Sequence, residues 1–101
     1  MFARVHTLEA TPAQQDEGLE IVRDVFLPWA RDSDGFRGLI RLSDPEGAKV
    51  LVITLWETEE ALRRSDESAE RLGANVAAAS GATRTGVDSY EVSLFEVTPP
   101  G

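Results

Sequence analysis

The chain has 101 residues, of which 42% are hydrophobic and 28% charged, and its formal net charge is −8. This length predicts one domain with one modest core, and the absence of cysteine excludes disulfides, thiolate metal sites and thiol nucleophiles. The acidic balance and the lack of a leader-like start or a long apolar run predict a cytoplasmic protein that binds neither nucleic acid nor membrane.

The first predicted elements are a strand and a helix. Residues Phe2–Glu9 alternate between two faces and predict strand one. The segment Thr11-Pro12-Ala13-Gln14 is typical of a helix start, because its hydroxyl, proline and glutamine match a capping box. An apolar stripe follows at helical spacing and is expected to face the core; its members are Leu19, Val22, Phe26 and Trp29. Pro28 disfavours helical geometry at the preceding residue, which predicts a kink before Trp29.

A hairpin and a second helix come next. Phe36–Ser43 and Ala48–Glu57 predict strands two and three, joined by a turn at Asp44-Pro45-Glu46-Gly47. Thr58 is the expected N-cap of the second helix, which should fray near Gly81. Strand three is the most apolar of these segments, which indicates burial on both of its faces.

The last predicted strand covers Val87–Val97, and a short tail follows at residues 99–101. The chain is therefore expected to form a single domain over residues 1–98. The order strand, helix, strand, strand, helix, strand predicts an α+β fold of ferredoxin-like topology. Its four-stranded antiparallel sheet would carry both helices on one face.

The other sheet face is expected to be covered by a second copy of the chain. Strand three places Leu51, Ile53 and Leu55 on one side and Val52 and Trp56 on the other, so neither side is polar. A homodimer with the two sheets face to face, a dimeric α+β barrel, would bury both sides. The alternative is a twisted monomeric sheet with scattered surface hydrophobes.

Three residues are candidates for catalysis. His6 is the only histidine, and its ordinary pKa suits a general base. Arg4 shares its strand face, and Arg37 and Arg41 are expected to join it in a basic cluster that would stabilise an enolate or bind a carboxylate. The alternative is that the arginines form structural ion pairs and that His6 is an interior polar group.

A second set of residues is expected to contact a ligand. The indole of Trp56 would form the floor of a cavity and orient a ligand oxygen, although core packing is the alternative. The full set comprises Val52, Thr54, Trp56, Arg37 and Tyr90. No spacing of metal ligands is present.

The segments FARVHTLEATPAQ, VITLWETEEALRRS and SYEVSLFEV resemble the antibiotic-biosynthesis-monooxygenase group of dimeric α+β barrels. The resemblance implies a pocket between sheet and helices, and some members oxidise polyphenols with dioxygen and no cofactor. The asparagine and tyrosine of the anthrone-oxidising members are replaced here by Val52 and Leu62. The asparagine, tryptophan and histidine of the haem-degrading members are replaced by His6, Ser65 and Asn75, which argues against haem.

Two functions remain open from the sequence. The first is a cofactor-independent monooxygenase or isomerase that acts on a small aromatic or polyketide-like molecule, with His6 as base. The second is a non-catalytic dimer that binds a small ligand or has a structural role. RNA binding on the sheet is disfavoured, because the chain is acidic and strand three offers one aromatic residue.

Overall fold

The computed structural model describes residues 1–100, and Gly101, at the end of the expected tail, lies outside the described residues. Four strands are present: β1 (Phe2–Glu9), β2 (Phe36–Asp44), β3 (Lys49–Trp56) and β4 (Thr83–Glu91). The first helical region consists of α1 (Pro12–Ile21), a π-helical turn (Val22–Phe26) and α2 (Leu27–Arg31), and the second is α3 (Glu59–Ser80).

The strands form one antiparallel sheet in the order β2-β3-β1-β4. The register pairs Phe2 with Trp56, Arg4 with Thr54, and His6 with Val52. Successive residues point to opposite faces, so these six side chains lie on the same face, against the helices. The predicted ferredoxin-like topology is thus confirmed.

The start of the first helical region agrees with the sequence pattern. Thr11 and Gln14 form the predicted capping box, in which each side chain bonds the backbone N–H of the other residue. The irregularity near Pro28 takes the form of the π-helical turn that precedes it. A π-turn leaves the backbone wider than an α-helix, and such turns often occur at functional sites.

The inward face of α1 differs from the predicted stripe. Val22 and Phe26 are buried as expected, but Leu19 is 46% exposed. Gln15 and Gly18 occupy the inward positions instead. The prediction was wrong for Leu19. It was based on the hydrophobicity of the side chain and not on how closely each position of α1 approaches the sheet.

Helix α3 begins and ends at chemically typical residues. The Thr58 hydroxyl accepts a hydrogen bond of 3.0 Å from the backbone N–H of Ala61. Gly81 closes the helix with a φ of 78°, a left-handed conformation in which only glycine avoids steric cost. Both predicted ends are confirmed.

The predicted range of the fourth strand was wrong. The strand covers Thr83–Glu91 rather than Val87–Val97. Its partner β1 has only eight residues, and the pairing ends where Phe2 meets Glu91. Beyond that point a single backbone hydrogen bond remains, which the N–H of Val92 donates to the carbonyl oxygen of Met1. The apolar residues that follow therefore have no strand to pair with.

The core lies between the sheet and the helices. A chain of aromatic contacts crosses it from His6 to Phe26, Trp29, Trp56 and Phe36, with ring centroids 5.3 to 6.4 Å apart. These rings meet edge-on or tilted, which is the favourable geometry for aromatic pairs.

The opposite sheet face carries exposed apolar side chains. Ile40 and Leu42 of β2 are 42% and 48% exposed, and Tyr90 of β4 is 57% exposed. In the segment after β4, Leu94, Phe95 and Val97 are also exposed. None of the helices within residues 1–100 covers that face.

Candidate functional site

A small cavity lies between the helix-facing side of the sheet and the helices. Its volume is about 40 Å³. The residues that matter for its chemistry are His6, Phe26, Arg41, Val52, Gly73 and Arg84. This volume holds roughly three water molecules. Gln14, Arg41, Ala82 and Arg84 are the partly exposed lining residues and therefore mark its open side.

His6 is almost fully buried in the wall of this cavity. Its side chain is 3% exposed, and neither ring nitrogen has a hydrogen-bond partner among residues 1–100. The edge of its ring meets Phe26, with centroids 6.0 Å apart. Buried polar atoms normally have partners, so two free ring nitrogens in a cavity indicate a place for a ligand or for water.

The imidazole of His6 is neutral at physiological pH. Burial, with smaller contributions from the positive charges of Arg4 and Arg84, lowers the pKa of His6 to about 4. Glu70 acts in the opposite direction and is the smallest of these influences. The ring therefore offers one N–H donor and one lone pair.

Arg41 reaches the same cavity from β2. Its Nη2 donates to the backbone oxygen of Gln15 at 2.9 Å, and its Nη1 donates to Ser43 at 3.0 Å. Its Nε is buried without a hydrogen-bond partner in the described chain. Burial lowers the pKa of Arg41, although an arginine remains charged under ordinary conditions.

Arg84 also lines the cavity and was missed by the sequence analysis. It lies in the part of β4 that precedes the predicted strand, and its guanidinium pairs with Glu70 of α3. The alternation of side chains in Thr83–Val87 was the signal for a strand that starts before Val87. It was obscured by the weak hydrophobic pattern at the end of the preceding helix. Arg84 is thus a cation whose charge is already balanced by a carboxylate.

Gly73 makes room for these side chains. A Cβ atom at this position would lie 3.1 Å from His6 Cε1 and 3.3 Å from Arg84 Nη1. Gly18 does the same for Arg41, whose Nη2 would lie 3.2 Å from a Cβ there. A glycine inside a helix costs about 1 kcal/mol relative to alanine, so two inward-facing helix glycines were a usable signal for this site.

Arg4 and Trp56 lie in a separate cluster outside the cavity. Arg4 donates to the backbone oxygen of Leu62 at 2.7 Å and to Ser65 at 3.1 Å, and it forms an ion pair with Asp66. Its guanidinium carbon is 5.7 Å from the centre of the Trp56 ring, a cation–π contact.

Thr54 completes this cluster. Its hydroxyl accepts a hydrogen bond of 3.0 Å from the indole N–H of Trp56, and both side chains are fully buried. The indole donor is therefore used within the core. The structure does not bring Trp56 and His6 to the same cavity, although it brings Val52 and His6 together there.

Arg37 and Tyr90 are both exposed and distant from the cavity lining. Arg37 sits at an irregularity of the β2–β3 register and forms an ion pair of 2.6 Å with Glu57. Tyr90 pairs with Ala3, so it lies on the sheet face opposite to His6. The expected basic cluster of Arg4, Arg37 and Arg41 is thus dispersed, and Arg41 alone of the three lines the cavity.

No set of three or more histidine, aspartate or glutamate side chains within residues 1–100 is arranged to hold a metal ion. At the positions matched to the haem-degrading members, Ser65 bonds Arg4 and Asn75 is exposed on α3. None of the helices in the described part of the chain is both long and apolar enough to cross a bilayer.

A protein-family model described as antibiotic biosynthesis monooxygenase matches residues 1–76. Among curated proteins, the uncharacterized protein Rv2558 of Mycobacterium tuberculosis is 39% identical over 67 residues, which are 66% of this chain and 28% of that protein. The chain thus spans less than half the length of the curated relatives it matches.

Several solved structures share the fold. The monooxygenase from ActVA-Orf6 of Streptomyces coelicolor, in complex with nanaomycin D, has a TM-score of 0.68 at 21% identity, over 99% of this chain and 92% of that one. SnoaB of Streptomyces nogalater, a cofactor-independent oxygenase, has a TM-score of 0.69 at 14% identity, over 93% and 94%. A dimeric ferredoxin-like protein from an uncultured marine organism has a TM-score of 0.67 at 9% identity, over 96% and 98%.

Proposed function

Because the chain belongs to the antibiotic biosynthesis monooxygenase family, we propose that its cavity is the active site of a cofactor-independent monooxygenase or isomerase. The proposed substrate is a small aromatic or polyketide-like molecule. The observation that carries the proposal is the buried His6 ring, which lines the cavity and whose two nitrogens have no hydrogen-bond partner within residues 1–100. Similar structures of a monooxygenase and a cofactor-independent oxygenase support the reaction class.

In this proposal His6 is the general base. Its neutral ring accepts a proton from a phenol or from an acidic carbon of the substrate. Arg41 stabilises the resulting anion through its positive charge, which acts more strongly in a dry site than in water. Arg4 is a weaker candidate for this role, since it lies outside the cavity lining and Asp66 balances its charge, although its Nη1 is buried without a partner in the described chain.

The two reaction classes share this first step. In an isomerase, the proton returns to another carbon of the same anion. In a monooxygenase, the anion supplies the electrons that reduce dioxygen, so that a CH₂ group becomes C=O and the second oxygen atom leaves as water. Neither course requires an electron donor other than the substrate.

The cavity must widen to accept an aromatic ring. Its volume of about 40 Å³ is well below the cavity of about 150 Å³ that binds benzene in an engineered protein. The wall formed by Val22 and Phe26 belongs to the π-helical turn, whose backbone hydrogen bonding departs from that of an α-helix. We assign the widening to this wall.

The experiment is dioxygen uptake with a hydroxyanthrone, compared with the uncatalysed oxidation. The His6→Ala variant should lose about 10²-fold or more of the enzymatic rate, the usual contribution of a general base. Arg37→Ala is the matched control, because Arg37 is exposed and lies outside the cavity. An unchanged rate in His6→Ala, with a substrate that the wild type oxidises, would refute the mechanism.

The second candidate is a non-catalytic protein that binds a small ligand. The narrow cavity favours it, as do Val52 and Leu62 at the positions where the anthrone-oxidising members place asparagine and tyrosine. Ligand binding at His6 without acceleration of any phenol or anthrone oxidation would support this candidate over the enzyme.

We also propose that two copies of the chain pack through the open sheet faces. The exposed Ile40, Leu42 and Tyr90 form an apolar surface that a second sheet would bury, and one similar structure is described as dimeric. Sedimentation of the wild type should give twice the chain mass, and Ile40→Glu with Leu42→Glu should give a folded monomer. A wild type that sediments as a monomer at micromolar concentration would contradict the dimer.

A further inference from the structure

The cavity contains an arginine that forms no ion pair with a described carboxylate, although the charge of Asp16 acts on it from a greater distance and opposes the lowering of its pKa by burial. Arg4, Arg37 and Arg84 each form an ion pair with an aspartate or glutamate, whereas none of the ion pairs within residues 1–100 includes Arg41. Its partners are the neutral oxygens of Gln15 and Ser43. A half-buried guanidinium without a carboxylate at ion-pair distance is an unusual arrangement, because charge is costly away from water unless it is closely paired.

The free hydrogen-bonding atoms of the cavity fit an anion. They are Arg41 Nε and the two ring nitrogens of His6, all of them buried and without a partner. The guanidinium atom is a donor, and a neutral imidazole adds one more donor. A carboxylate has acceptor atoms alone, so it satisfies both donors and balances the charge of Arg41.

We propose that the ligand of this cavity carries a carboxylate, which accepts hydrogen bonds from Arg41 Nε–H and from the ring N–H of His6. This inference rests on the proposed function, because it concerns the same cavity. It adds the class of substrate, an organic acid whose carboxylate enters first and whose remaining part extends toward the open side.

The carboxylate also explains how such a weak base becomes effective. In the free protein, burial and the neighbouring arginines hold the pKa of His6 at about 4, which is far below that of a phenol. A carboxylate bonded to one ring nitrogen favours the charged ring and raises this pKa. The other ring nitrogen then accepts the substrate proton, so that binding of the acid activates the base.

The size of the cavity agrees with this assignment. A volume of about 40 Å³ accepts a carboxylate group without movement of the walls, although it excludes a whole aromatic ring. The net charge of −8 disfavours anions near the protein surface. Selection for an acid therefore depends on the local charge of Arg41, because Glu70 balances that of Arg84, and the effect should be confined to the cavity.

The experiment uses acetate and its neutral analogue acetamide at constant ionic strength. Because His6 is the only histidine, its imidazole NMR signals report the cavity alone. Acetate should shift these signals saturably and raise the pKa of His6 above about 4, whereas acetamide should do neither. Equal effects of the two probes, or no saturable shift with acetate, would overturn the inference.

Variants test the role assigned to Arg41. Arg41→Met should weaken acetate binding about tenfold or more, the usual effect of losing a hydrogen bond to a charged group. Arg37→Met, which removes an exposed arginine of the same strand, should bind acetate like the wild type. Wild-type affinity in Arg41→Met would overturn the inference, and the acetate–acetamide comparison decides the matter if that variant does not fold.

The carboxylate site and the oxygenase activity can be supported or rejected independently of each other. Acetate binding without any dioxygen uptake would sustain the carboxylate site and reject the oxygenase. Turnover of an uncharged hydroxyanthrone that depends on His6, combined with no saturable effect of acetate on the His6 signals, would reject the carboxylate site and sustain the oxygenase.

Discussion

The burial of His6 should make the stability of the fold depend on pH between neutrality and pH 4. The pKa of His6 falls from its ordinary value of 6.5 to about 4 on folding. Below pH 6.5 the unfolded chain therefore takes up a proton that the folded chain refuses. The stabilisation is fully present above pH 6.5 and is lost as the pH falls toward 4.

The size of this effect follows from the two pKa values. Between pH 7 and pH 5 the contribution of His6 to the free energy of unfolding should fall by about 2 kcal/mol. The charged groups around the ring are Arg4 on β1, Arg84 on β4 and Glu70 on α3, and the last of these opposes the other two. Since the arginines keep their charge over this interval, the ring itself is the titrating group.

Urea unfolding at pH 7, 6 and 5 measures the effect in the wild type and in His6→Asn, which does not titrate. Carboxylates elsewhere contribute equally to both proteins, so the difference between their pH dependences isolates His6. The wild type should lose about 2 kcal/mol more than the variant over the interval. Parallel curves for the two proteins would refute the reasoning, because they would show that His6 titrates alike in both states.

Three further predictions concern the packing beside His6, the Trp56 cluster and the N-cap of α3. Gly73→Ala should leave the free energy of unfolding within about 1 kcal/mol of wild type, because the gain in helix propensity offsets the crowding. The new Cβ should nevertheless shift the NMR signals of His6, which lies close to it. Unaltered His6 signals would contradict this close approach. Trp56→Phe should lower the free energy of unfolding by about 2 kcal/mol, because it removes the hydrogen bond to Thr54 and creates a small void. Trp29→Phe changes a half-buried indole and should lower it less. The reverse order would contradict the structural role assigned to Trp56. Thr58→Ala should cost about 1 kcal/mol in thermal or urea unfolding by removing the N-cap of α3, and no loss would contradict that role.

The sequence by itself determined the order of the elements, the start of the first helical region, both ends of the second, and the placement of His6 and Arg4 on the same face of β1. These features depend on neighbouring residues: the alternation of Phe2–Glu9, the hydroxyls of Thr11 and Thr58, and the conformational freedom of Gly81. Features of this kind depend on neighbouring residues and can therefore be predicted from the sequence. The family resemblance was also evident from short segments of sequence, and the match over residues 1–76 confirms it.

The composition of the site was decided by the tertiary structure. Arg4 and Arg41 looked equivalent in the sequence, yet α3 offers Asp66 to the first and no carboxylate of α1 or α3 forms an ion pair with the second. Arg84 entered the cavity because the length of β1 fixed where β4 begins. Which charges are paired, and which cavity a side chain lines, depends on residues far apart in the chain, and only the packed sheet and helices bring them together.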